Sequence, residues 1–169
     1  MWSGNRKQVM KSIVFVPVFF LIILHAFVSG AVDRKSFYAA FSGGSEESLD
    51  SEIAKLSEGK NTSFSRAYLG AAQMKKSDFL KGASNKVKLF KKGASLLEEE
   101  IKNASDNAEY RFLRLTIQEN APKILKYNQD IEKDKKVLLA GYGRLNPDLK
   151  EIIRQYAESS KIIKAGDLK

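Results

Sequence analysis

The chain of 169 residues has no cysteine, only three prolines, and a single histidine and tryptophan. Without cysteine there is no disulfide framework, no thiolate metal site, no thiol nucleophile and no lipidated cysteine. Few prolines, with 43% hydrophobic and 29% charged residues, exclude collagen-like and low-complexity disordered chains. Strand signals are nearly absent too, since no apolar run alternates and no Asn-Gly or Asp-Gly turn occurs. The chain is about the size of one domain.

The first thirty residues read as a segment outside the fold. Arg6, Lys7 and Lys11 form a basic start, and no acidic residue precedes Asp33. An apolar stretch from Ile13 to Leu24 follows, and then the small residues Ser29, Gly30 and Ala31, which suit a signal peptidase cutting after Gly30 or Ala31. Residues 12–32 carry no formal charge and are about long enough to cross a bilayer, so an uncleaved anchor in the inner membrane is the alternative. In both cases the basic end stays cytoplasmic and the rest crosses. A periplasmic or secreted location is therefore expected. Removal of this segment takes Trp2 and His25 with it and leaves 26 basic residues against 20 acidic ones, a net charge of +6. Such a mature chain offers no imidazole base, no His-ligated metal and no His-assisted nucleophile.

The remainder shows helical periodicity throughout. Phe37, Ala40 and Phe41 share a face, and Leu49, Ile53 and Leu56 repeat before Gly59. Asn61 to Ser63 reads as a helix start, after which Phe64, Ala67, Tyr68, Ala71 and Met74 line one side. The clearest helix is expected from about Asn85 to Ala104, with Val87, Phe90, Ala94, Leu97 and Ile101 at 3–4 spacing. Gly93 in its middle costs up to about 1 kcal/mol against Ala, which points to a close helix contact there. Asp106 to Glu109 reads as a variant capping box opening a helix that is apolar around most of its circumference, and hence central. Pro122 ends it and is expected in the first turn of the next helix, on which Ile124, Tyr127, Ile131 and Leu138 recur. Gly141 to Arg144 is a hinge, and Asn146 with Pro147 starts a last helix.

The stretch from Leu89 to Glu119 resembles part of a tetratricopeptide repeat (TPR) array: an apolar second helix, an Asp-Asn-Ala-Glu turn and a new first helix. Leu69 and Gly70 resemble that repeat's Leu-Gly pair. The likeness covers about 75 residues. The starts at Phe64 and Asn107 lie 43 apart where the repeat has 34, and residues 75–85 look like an insertion. Residues 107–126 also resemble small exported helical proteins of unassigned function from Bacteroidetes-type bacteria. The expected fold is all-α, with antiparallel hairpins stacked as a short TPR-like array over residues 33–158, a signal segment at 1–30 and a C-terminal tail at 159–169.

The first helices of such an array line a concave face. Arg66, Gln73, Arg111, Arg114 and Gln118 are the polar residues expected on it, poised for a carboxylate-bearing or extended peptide. The competing expectation makes Arg111 and Arg114 structural, paired with Glu98, Glu99, Asp130 or Asp134. Seven lysines and one acid lie between residues 75 and 92. Lys86, Lys88, Lys91 and Lys92 are candidates for an anionic surface: lipopolysaccharide, a bilayer or a polyanionic glycan. Nucleic acid is disfavoured, because the cluster has no arginine and only Phe79 and Phe90 as aromatics. The consecutive acids Glu98 to Glu100 point in different directions on a helix and make no metal site. Asn61 and Asn103 match the glycosylation pattern but read as caps or turns in a bacterial chain. No cofactor is implied. The expected function is an exported, non-enzymatic protein- or peptide-interaction module, with a basic adaptor for an envelope polymer or membrane as the alternative. A Ser–Lys or carboxylate hydrolase ranks behind both, since no such pair stands in a context suited to catalysis.

Overall fold

The computed structural model describes residues 32–169, and the expected signal or anchor segment lies, Val32 apart, outside them. The described part is all-α. In chain order the helices are α1 (Arg34–Gly43), α2 (Glu46–Glu58), α3 (Ser63–Lys76), α4 (Ala83–Asn103), α5 (Ala108–Asn120), α6 (Ile131–Gly141) and α7 (Pro147–Ser159), with no strand among the described residues. None of these helices is long and apolar enough to cross a membrane.

Short polar side chains set the helix starts, as their ability to accept orphan backbone N–H groups dictates. Asp33 accepts from the Ser36 N–H, and Asn146 accepts from the Asp148 N–H with Pro147 in the first turn. Thr62 and Ser65 cap each other reciprocally, at 3.1 and 2.9 Å. The start of α5 differs from expectation. Asn107, not Asp106, is the cap, accepting from the N–H groups of Glu109 and Tyr110. Glu109 does not reach back; its carboxylate goes to Arg34 and Tyr68. Gly82, at a φ of 82° that favours glycine, turns the chain into α4.

The expected helix from Pro122 does not form. Pro122 is extended, residues Lys123–Leu125 make one 3-10 turn, and Lys126 adopts a left-handed conformation at a φ of 51°. Side chains explain the break. Gln118 accepts from the Asp130 N–H at 3.0 Å, and Tyr127 turns back to α4, its ring 5.3 Å from Phe90 and its hydroxyl donating to Glu98. α6 therefore begins only at Ile131.

Packing follows chain order in part. α3 and α4 form the most extensive hairpin, α5 and α6 the second, and α2 lies on α3. α3 also touches α5, and α7 folds back onto α1. Gly70 and Gly93 let α3 and α4 approach, since an added Cβ at Gly70 would lie 2.6 Å from the Gly93 carbonyl oxygen. The core runs through Phe37, Tyr68, Leu97, Phe112, Leu138 and Ile153, all fully buried. Residues beyond α7, expected to be a tail outside the domain, dock on it. Ile163 is fully buried, and Glu119 accepts from Ser160 at 2.7 Å and from the Lys161 N–H at 2.5 Å.

Candidate functional site

α5 is the central helix, and every residue from Ala108 to Gln118 is buried. Charged groups on such a helix must find partners, because an uncompensated buried charge costs several kcal/mol. Asp134 of α6, fully buried, supplies them. Arg114 donates to it through Nε at 2.7 Å and Nη2 at 2.6 Å, Arg111 through Nη1 at 3.0 Å, and Gln118 through Nε2 at 2.6 Å. The remaining donors are taken as well. Arg114 reaches Glu98 at 2.6 Å and lies 3.4 Å from Asp130, while Arg111 donates to the Ser105 carbonyl. Burial disfavours the Arg114 charge, yet its hydrogen bond to Asp134 and the surrounding carboxylates outweigh this and raise its pKa.

Arg111, Arg114 and Gln118 therefore do not line an open recognition face; the structural pairing holds. The reason is that the face of α5 that carries them is covered by α6, whose Asp134 takes all three. Arg66 on α3, about a third exposed, is taken by the buried carboxylate of Glu100. Gln73 is buried, and its Oε1 meets no donor. A second internal cluster joins α1 to α5. Arg34 makes a bidentate pair with Glu109 at 2.7 and 3.0 Å, stands 4.8 Å over the Phe64 ring, and shares Glu109 with the Tyr68 hydroxyl. Burial, with the Glu109 charge beside them, pushes the pKa values of Tyr38 and Tyr68 up.

The concave feature lies elsewhere. A cleft of about 810 Å³ opens between α1, α3, α5 and α7. Its floor is apolar, built from Phe41, Met74, Phe90, Ile117 and Ile152. Tyr38, Phe112 and Tyr156 form an aromatic wall, with centroids 5.6 and 5.4 Å apart along the row. Glu119 fixes Tyr156 through its hydroxyl. At the rim stand two ion pairs, Lys35 with Asp148 at 3.1 Å and Lys75 with Asp78 at 3.2 Å, and the carbonyl of Asn120, whose amide is spent on Thr116. The volume falls within the range of ligand-binding clefts. No sequence spacing announces it, because its walls come from helices as far apart as α1 and α7, more than 100 residues from each other.

Lys86, Lys88, Lys91 and Lys92 are all exposed on the first half of α4 and make no ion pair among the described residues. Lys75 and Lys76 of the same cluster are tied down instead, Lys76 by Glu46 and Asp50 at 2.6 Å each. Among the described residues no three His, Asp or Glu side chains converge as a metal site requires. No family model, curated protein or solved structure matches the chain.

Proposed function

We propose that this chain is an exported, non-enzymatic interaction module that holds an apolar segment of a protein or peptide in the cleft between α1, α3, α5 and α7. The scaffold is read as TPR-like hairpins curled until the last helix meets the first. The observation that carries the reading is the cleft's division of labour. An aromatic and aliphatic floor without an unpaired charge suits hydrophobic side chains, and charges of both signs at the rim suit the polar backbone and flanks of an extended or helical segment.

Ala39 gives the test, since it lines the cleft yet is exposed on α1. A displayed library of random peptides selected on the full chain is expected to enrich sequences with paired aromatic or aliphatic residues. Ala39→Trp fills the cleft without replacing a buried side chain and is expected to weaken those peptides by about tenfold or more, which is about 1.4 kcal/mol. Unchanged binding by Ala39→Trp overturns the reading.

A further inference from the structure

We propose that the end of the molecule formed by the Ser77–Phe79 turn, the first half of α4 and the loop at residues 121–127 docks on an anionic lipid bilayer. This surface borders the cleft, but the side chains it uses, Phe79, Ile124 and the free lysines, do not line it, and the proposal does not rest on the cleft reading.

The first observation concerns apolar exposure. Phe79, 38% exposed, and Ile124, 88% exposed, are the two large hydrophobic side chains left exposed among the described residues. Ile124 is held outward by its turn. Its neighbour Leu125 packs inward against the core, and the left-handed Lys126 closes the 3-10 turn behind it. The two side chains belong to the same end of the fold. Asp78, beside Phe79, and Pro122, two residues before Ile124, line one cleft together with Phe90, on which Tyr127 also rests.

The second observation concerns charge. Lys81, Lys86, Lys88, Lys91 and Lys92 are exposed and free of ion pairs among the described residues. Lys123 and Lys126, which flank Ile124, are exposed and free in the same sense. The single acid between residues 75 and 92, Asp78, already faces Lys75. Between the lysines, Leu80 and Leu89 floor a shallow groove edged by Lys81, Lys88 and Lys92.

Together these features favour a bilayer over a soluble polyanion. A polyanion needs only the cations and gains nothing from an outward Ile124, and a single-stranded nucleic acid would stack on aromatics that are not arrayed here. At a membrane, lysines are drawn to anionic headgroups while the apolar tips enter the interface. The surface potential acts within about a Debye length, so the attraction is salt-sensitive.

The cysteine-free chain permits a local readout. Phe79→Cys, Ile124→Cys and Asp106→Cys each carry one environment-sensitive fluorophore on the full chain. Asp106 follows the far end of α4, about 30 Å away by the helix rise. With vesicles of phosphatidylcholine containing about 30% phosphatidylglycerol, emission is expected to shift to the blue at 79 and 124 and to stay fixed at 106. Binding should weaken about tenfold or more between about 0.05 and 0.5 M salt. Replacing Lys86, Lys88, Lys91 and Lys92 by Glu should abolish the shift, whereas Ala39→Trp should leave it intact. An equal shift on pure phosphatidylcholine overturns the proposal, as does vesicle sedimentation without a shift at 79 and 124. Retention of the shift by the four-Glu variant also overturns it, and so does binding of dextran sulfate with no response to vesicles.

Discussion

Gly70 of α3 and Gly93 of α4 face each other across the contact of the two helices, each occupying the space that a Cβ on the other would need. An added Cβ at Gly70 would lie 2.6 Å from the Gly93 carbonyl and 2.9 Å from the Leu97 nitrogen, and one at Gly93 would run into the Gly70 carbonyl and into Met74. The obstacles are largely backbone, so no rotamer change relieves them.

Gly70→Ala and Gly93→Ala should therefore each destabilise the fold. Alanine gains about 1 kcal/mol of helix propensity, but forcing two helices apart in a dense core costs about 1–3 kcal/mol or more. A net fall in Tm is expected for both. Gly143→Ala, where a Cβ meets nothing within 4 Å, should leave Tm nearly unchanged. Thermal melts of the three variants check this, and a fall for Gly143→Ala equal to the others would remove the explanation.

Asp134, fully buried on α6, accepts from three side chains of α5. Asp134→Ala leaves Arg111 and Arg114 facing each other without their shared counter-charge, and a broken buried pair costs about 3–5 kcal/mol. That corresponds to a Tm lower by roughly 10–20 °C for a domain of this size. Arg114→Ala should fall in the same range, because it removes two of the four hydrogen bonds to the buried Asp134 and the arginine partner of Glu98. The stability loss is expected to be comparable whether the acid or the arginine is removed; a small effect of Arg114→Ala with intact folding would show that Arg114 is not structural.

The acidic side chains that hold residues 160–168 make the docked C-terminal segment sensitive to acid. Burial works to raise the Glu119 pKa, but hydrogen bonds from Tyr156, the Lys161 N–H and Ser160 prevail and lower it. The Lys135 ammonium and the Lys164 N–H lower that of Asp167. A carboxylate whose folded pKa is depressed stabilises the fold above its ordinary pKa, and this is lost as pH falls through the folded value. The Tm gap between the native chain and Glu119→Gln should thus be widest near neutrality and narrow as pH falls from about 6 to about 3. A gap that widens on acidification contradicts the assignment.

Helix existence was legible because burial leaves its mark at 3–4 spacing, as in Val87, Phe90, Leu97 and Ile101. So was the structural alternative for Arg111 and Arg114, since two cations on a helix apolar around most of its circumference demand acids nearby, and Asp134, Glu98 and Asp130 are those acids. Ile124 and Tyr127 misled for a definite reason. They imitate a helical stripe, but Tyr127 is claimed by Phe90 and Glu98 and Asp130 by Gln118, contacts that span up to 37 residues and leave no periodic trace. The cleft stayed hidden on the same grounds. Its wall aligns Tyr38, Phe112 and Tyr156 from three helices, and each of the three reads in its own helix as ordinary core.

The return of α7 onto α1 bears on how the chain is made. Lys35 meets Asp148, and Arg34 finds its carboxylate 75 residues later. A polypeptide emerging from the ribosome amino end first thus completes the first of its described helices with the last. Until α7 has been synthesised, α1 has α2, α3 and α5 beside it but lacks its last cover, and contacts of such sequence separation close slowly. Closure of the fold around α1 thus waits for the carboxyl-terminal helix.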